Sequence, residues 1–278
     1  MYAEIMRIHH AMSLAIILLL AGCSSVAGTG RSQLNMISPE EERQLGIEAF
    51  NAATAEVELV QSGPELEMIE RIGWRILDAA SVLYPEIEIS EEDWVFVLID
   101  DDEIANAWAA PGGKIAIYTG ILPITQTEAG LAVVMAHEIA HVLARHSAEQ
   151  VTHAMIMQGV LVAGSELIDD DETKAIAMQA MGLGGSVGVA LPFSRVHESE
   201  ADELGLYLMA EAGYDPRAAI DVWTRMEEAQ DVAVPEFLST HPSPASRIEE
   251  FRVWMPEALE LYRAAEPKRQ RRMDQPAS

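Results

Sequence analysis

His137-Glu138-Ile139-Ala140-His141 lies inside a stretch, Thr127 to Gln150, that reads as one helix, and it decides how the rest of the chain is read. Two imidazoles four residues apart share a helix face, so both can reach one divalent cation, while the glutamate between them stands beside the remaining coordination position. Leu131, Val133, Val134, Ala136, Ile139, Ala140, Val142 and Leu143 make nearly the whole segment apolar. That is the pattern of a core helix carrying a metal, not of a helix on the surface. A pair of core histidines with satisfied hydrogen bonds is the bland alternative.

A catalytic zinc site needs a third protein ligand and an open position. The extended pattern with glycine at 144 and histidine at 147 does not apply, because Ala144 and Ser147 stand there. His146 falls about 140° around a continuous helix from His141, which makes it an ordinary polar contact and no ligand of the same ion. A carboxylate from a second helix remains. In Ser194-Arg195-Val196-His197-Glu198-Ser199-Glu200-Ala201-Asp202, Glu198 and Asp202 are four apart and project on one side. Glu198 is the expected third ligand, and Asp202 the group that holds a ligand imidazole by its other ring nitrogen. Glu200 falls roughly opposite and reads as solvated or paired.

Upstream, Ser38-Pro39-Glu40-Glu41 supplies a cap, an N1 proline and an N3 glutamate, so a helix is expected from about 39 to 60. Pro64 opens a second, with Leu66, Ile69, Ile72 and Ile76 at helical spacing to about residue 80. Trp94 to Ile99 is a β-branched and aromatic run that reads as a buried strand. Asn106–Ala110 and Lys114–Tyr118 flank Pro111-Gly112-Gly113, the turn chemistry of an antiparallel hairpin. The hairpin strand around Gly113, Lys114, Ile115 and Ala116 is the expected substrate-binding element, because an enzyme that accepts many sequences can pair with substrate main chain at a sheet edge. From Ala175 to Phe193 the chain carries no charge. The glycines there favour a buried helix with a close-packed loop over a membrane span.

The N-terminus carries an address. Arg7, His9 and His10 precede the apolar run Ala11 to Leu20, which ends in Leu20-Ala21-Gly22-Cys23. About ten apolar residues are too few to span a bilayer and suit an export signal. The segment resembles a bacterial lipoprotein signal, which implies cleavage before Cys23, lipid on that cysteine and, from Ser24, the periplasmic face of the outer membrane. Residues 1–22 are therefore expected as signal peptide, 23–37 as a flexible tether rich in Ser, Gly and Thr, 38–265 as one folded domain and 266–278 as a basic disordered tail. With 18 basic against 45 acidic side chains the chain carries a net charge of −27. Such a charge repels phosphate backbones and excludes nucleic-acid binding through a basic surface. One cysteine in the whole chain leaves packing or a metal to hold the fold.

Asn106-Ala107-Trp108 with Pro111-Gly112-Gly113, then His137-Glu138-Ile139-Ala140-His141, then Ser194-Arg195 with Glu198-Ser199-Glu200-Ala201-Asp202, and His241-Pro242 with Arg247 occur in that order. Together they resemble the signatures of metallopeptidase family 48, the minigluzincins, and most of all its exported lipoprotein branch. The resemblance implies an α+β, mostly helical, zincin-like domain with a small antiparallel sheet beside the HExxH helix, one Zn²⁺ per chain, and His241 and Arg247 flanking the site to stabilise the oxyanion. His241 has a second expected position, over the metal as a fourth, inhibitory ligand. The activity implied is that of a zinc-dependent endopeptidase in which Glu138 is general base to zinc-activated water. Its expected substrates are unfolded or misassembled envelope polypeptides, and its other partners the membrane through Cys23, envelope assembly machinery or a second copy of the chain. The competing class is a lipid-tethered, chaperone-like binding module with structural zinc.

Overall fold

In the computed structural model, residues 23–157, 193–230, 237–241 and 247–273 are described. The export signal, the uncharged stretch up to Pro192, and Pro242 with the following Ser243-Pro244 lie outside them. Ser38 caps helix α1 (Pro39–Thr54) with the expected box: its side chain accepts from the Glu41 amide while Glu41 accepts from the Ser38 amide. The helix stops at Thr54, short of residue 60, because the chain is then drawn alongside a strand. Val60 donates to Leu98 and Asp100 to Glu58, at 2.9 and 2.8 Å. Helix α2 (Pro64–Leu83) buries Ile69, Ile72 and Ile76 as its periodicity demands. It approaches the sheet so closely that a Cβ on Gly73 would lie 2.3 Å from the Phe96 ring.

The sheet has three strands, β3 (Val95–Ile99), β4 (Ala107–Ala110) and β5 (Lys114–Tyr118), in the order β3-β5-β4. The hairpin of β4 and β5 is antiparallel as expected, with Ala107 opposite Ile117 and Ala110 opposite Lys114. The expectation of a purely antiparallel sheet fails at β3, which lies parallel to β5 with Val95 beside Lys114. Two chain reversals separate them, so their directions agree, and β5 slots between its predecessors. The substrate-binding expectation for Gly113, Lys114, Ile115 and Ala116 also fails here. With partners on both sides, β5 has no edge to offer a peptide. Lys114 is 7% exposed and its ammonium caps carbonyls, Gly112 at 3.0 Å and Asp93. Gly113 takes φ 83°, which glycine alone accepts freely, with its Cα against Trp94.

After the single turn α3 (Leu122–Thr125), the Thr127 hydroxyl accepts from the Gly130 amide and starts α4 (Glu128–Leu143). This helix is buried continuously from Gly130 to His141 and runs through the centre of the main core, between the sheet, α2 and the later helices. It does not continue to Gln150. Arg145 turns to φ 58° and a separate helix α5 (His146–Met157) departs. Ser194 caps α6 (Arg195–Glu211), which packs along α4. At the crossing Gly205 sits on the main chain of His137, where a Cβ would come within 3.0 Å of its nitrogen. Helix α7 (Ala218–Gln230), the turn α8 (Phe237–Thr240) and the long α9 (Arg247–Met273) complete the described elements. Among the described residues no helix is long and apolar enough to cross a membrane.

Both expected ends of the domain are corrected. Residues 23–37 form no free tether. Strands β1 (Cys23–Ser25) and β2 (Ser32–Leu34) make a small antiparallel hairpin that buries Val26 in its turn, Gln33 in its second strand, and Asn35 and Ile37 at its exit. Composition misled because few apolar residues are needed when polar ones find buried partners: Arg31 pairs with Glu149 and Glu200. The basic cluster Lys268 to Arg272 is likewise helical, since α9 continues to Met273. Residues 274–278 lie outside the described ones.

Candidate metal centre

Four buried side chains from three parts of the chain converge at the α4–α6 crossing: His137 and His141 on α4, Glu198 on α6, and His241 just past α8. One donor atom from each lies within 4.8 Å of all the others. His137 Nε2 is 3.0 Å from His141 Nε2 and 3.2 Å from His241 Nδ1. Glu198 Oε1 is 3.4 Å from His141 Nε2 and 3.0 Å from His241 Nδ1. Ligands about 2.0–2.1 Å from a tetrahedral zinc stand about 3.3 Å from one another, so these separations match the edges of such a site.

The chemistry of the set fits a cation. Asp202 Oδ1 lies 3.0 Å from His137 Nδ1 and accepts its proton, which leaves the Nε2 lone pair of His137 facing inward. His141 Nε2 faces it at 3.0 Å, close enough for both nitrogens to hold one cation. Glu198 Oε2 and Glu138 Oε1 are buried without a hydrogen bond and have only ionic contacts, the nearest to Arg247 Nη1 at 3.2 Å and to His241 Nε2 at 3.3 Å respectively. Burial pushes the Glu138 carboxyl up. Burial pushes on Glu198 in the same direction, but His241, His137 and His141 together hold it well below the carboxylate range, as an anionic ligand should be.

Glu138 occupies the expected place, 1% exposed, with Oε1 3.3 Å from His241 Nε2. His241 itself sits inside the donor set, so of its two expected positions the structure displays the one over the metal. Phe237, whose ring stacks on His241 with centroids 4.5 Å apart, fixes it there. Arg247 is brought to the site, against the carboxylates of Asp202 and Glu198. It is 1% exposed, it donates through Nε and Nη2 to Asp202, its Nη1 lies 3.2 Å from Glu198 Oε2, and its guanidinium lies 3.6 Å over the Trp223 ring. Nε and Nη2 hydrogen-bond Asp202 while Nη1 makes only an ionic contact with Glu198, an arrangement suited to orienting these carboxylates.

Two residues that sequence reasoning set aside belong to the surroundings of the site. Because the helix breaks at Arg145, His146 swings back beneath His141, and their Nδ1 atoms approach to 2.8 Å. Its Nε2 lies 2.9 Å from Glu200 Oε2, so Glu200 is paired and not solvated. Burial keeps His146 neutral, with its pKa near 4. Nothing in the sequence marks the break, since Ala144-Arg145 contains neither glycine nor proline. The N-terminal strap, residues 23–37, reaches this pair through Thr29 and Arg31, which both bond Glu200.

An HExxH helix crossed by a second helix bearing a glutamate, beside a small mixed sheet, defines a zincin-like metallopeptidase fold. The chain belongs to peptidase family M48, whose model matches residues 71–255. It is similar to the mitochondrial metalloendopeptidase OMA1 of Schizosaccharomyces pombe, 34% identical over 235 residues, and to that of Saccharomyces cerevisiae, 38% identical over 204. It is also similar to the beta-barrel assembly-enhancing protease of Escherichia coli, 30% identical over 232 residues. These alignments take in 83%, 70% and 80% of the chain, but only 66%, 57% and 45% of the respective relatives.

Proposed function

We propose that this protein is a zinc metalloendopeptidase of the bacterial envelope, lipid-anchored through Cys23 at the periplasmic face of the outer membrane and acting on unfolded or misassembled polypeptides there. The observation that carries the enzymatic reading is the juxtaposition of Glu138 with the donor set. A structural zinc site has no use for a further buried carboxylate that faces the donor set without ligating, its Oε1 making only an ionic contact with His241, which disfavours the binding-module alternative. The relatives named metalloendopeptidase and protease support the same class, and the name of the E. coli relative supports substrates connected with β-barrel assembly.

His137, His141 and Glu198 would hold the ion. When bound, zinc acidifies a water molecule and polarises the scissile carbonyl. Glu138 accepts the proton released as that water adds to the carbonyl, and passes it to the leaving amine. Burial raises the Glu138 carboxyl above the ordinary range, which makes it a better proton acceptor than a solvated glutamate. Turnover requires His241 to leave the donor set. His241 Nε2 stands 3.3 Å from Glu138 Oε1, and an N–H there can donate to the oxygen that becomes negative. Substrate main chain pairs along β4, which among the described residues has a strand on one side only. Phe237 N donates to Ala105 O at 3.2 Å, tying the segment that leads to His241 to the residues before β4.

The test combines zinc stoichiometry with degradation of an unfolded protein by wild type and Glu138→Gln. One zinc per chain in both and cleavage in wild type alone is the expected result. Equal cleavage by both would show that Glu138 is not the base. Substitution of Cys23 is expected to abolish lipid labelling and release the protein from membranes.

A further inference from the structure

Behind His141, on the side away from the converging donors, lies a second cluster of titratable side chains. Thr29 and Arg31 come from the strap, His146 and Glu149 from the start of α5, and His197 and Glu200 from α6. Glu200 accepts from Thr29 Oγ1 and, at 2.8 Å, from Arg31 Nε. The other side of the Arg31 fork reaches both oxygens of Glu149, at 3.1 and 2.8 Å. Glu149 in turn lies 2.9 Å from His197 Nε2, and the His197 ring stacks on His146 with centroids 4.5 Å apart. One guanidinium thus holds the two carboxylates that fix His146, one directly and one through the stacked ring.

The donor and acceptor inventory gives these contacts a direction. An ionised carboxylate only accepts, so the His146 nitrogen that faces Glu200, Nε2, carries the proton. A neutral imidazole has one N–H, which leaves His146 Nδ1 as an acceptor. The 2.8 Å contact between the two Nδ1 atoms then requires His141 to donate. With its proton on Nδ1, His141 presents a bare Nε2 to His137, Glu198 and the ion they share. Asp202 does the same for His137 from the other flank.

We propose that His146 is a positioning residue of the metal centre, holding His141 in its metal-binding tautomer, and that Thr29 and Arg31 complete the relay through Glu200, so that the N-terminal strap is a working part of the site. This rests on the metallopeptidase reading. The strap follows directly on Cys23, so whatever displaces it from the body of the domain loosens a zinc ligand.

The test uses the full chain and two readouts taken without substrate: zinc affinity by competition with a chelator, and the downfield imidazole N–H resonances of the zinc-loaded protein. His146→Leu removes the acceptor and is expected to weaken zinc binding about 10–100-fold and to abolish the slow-exchanging Nδ1–H signal of His141. His146→Asn restores an acceptor and is expected to recover much of both. Arg31→Ala, at a partly exposed position, is expected to weaken zinc binding about threefold or more and to shift the same signal. Affinity within twofold of wild type and an unshifted signal in a folded His146→Leu protein would overturn the proposal. If that variant does not fold, unchanged affinity and signal in Arg31→Ala overturn it instead. A wild type that binds zinc and shows the signal lost in His146→Leu, yet cleaves nothing, supports the relay and removes the peptidase reading.

Discussion

Replacing Arg247 by methionine separates two roles for this residue. An arginine that meets the oxyanion acts only in turnover, and its loss lowers kcat with little effect on folding. The structure instead buries the guanidinium among Asp202, Glu198 and the Trp223 ring. Methionine keeps most of the volume and the contact with the indole but leaves two buried carboxylates without their cation. Breaking a buried pair from one side costs about 3–5 kcal/mol, because the remaining charge is uncompensated. For a chain of this size each kcal/mol moves the melting temperature by about 2–4 °C, so a fall of about 6–20 °C is expected. Urea unfolding monitored by circular dichroism, with zinc and with chelator, measures it in both states. Arg247→Lys is expected to fall between, since it keeps the charge and loses the fork. A destabilisation under about 1 kcal/mol, accompanied by a large fall in kcat, would refute the assignment and return Arg247 to the substrate.

Further outcomes follow from other parts of the fold. A Cβ on Gly46 would lie 1.8 Å from the carbonyl oxygen of Pro111, so Gly46→Ala is expected to cost at least about 1–3 kcal/mol by overpacking; a neutral result in denaturant titration would show that α1 can move off the hairpin. Burial pushes Glu149 up, but its bonds to Arg31 and His197 hold it below the ordinary range. The unfolded chain therefore takes up this proton first as acid is added, and stabilisation that is complete above about pH 4.5 is lost as pH falls through the native value. Melting temperatures of wild type are expected to decline more steeply below that pH than those of Glu149→Gln, and parallel curves would contradict the pairing. Saturating zinc at about 1,000 times its Kd is expected to stabilise the protein by about 4 kcal/mol, visible as a drop in melting temperature on chelation. His137→Ala should show no such drop.

The convergence of the candidate metal-ligating residues was legible because their spacing is a property of single helices. His137 and His141 declare a shared face, and Glu198 with Asp202 declares another, so only the crossing of the two helices had to be supplied. The capping box at Ser38 and the hairpin at Pro111-Gly112-Gly113 were legible for the same local reason. What escaped depended on partners distant in sequence. Lys114 to Tyr118 alternates as if one face were wet, yet every residue is buried, because helices and neighbouring strands cover both faces of the central strand. The strap reads as linker by composition, and only Val26 and Ile37 hint that it packs. His146 was misplaced because angles counted along a helix fail where the helix ends.

At the corner after α4, Arg145 is held in a left-handed backbone conformation. A glycine would adopt φ 58° with less strain, but it would give nothing to Glu42, whose buried carboxylate receives Arg145 Nε at 2.6 Å, or to the Ile37 carbonyl, which receives Nη2 at 3.1 Å. The bend is therefore pinned from outside by the first helix and the residue before its cap. Slackening that peg would let the backbone relax toward a continued helix, which carries the His146 ring away from its neighbour. An injury at Glu42, far along the chain from either imidazole, should thus be felt as a zinc atom held less tightly.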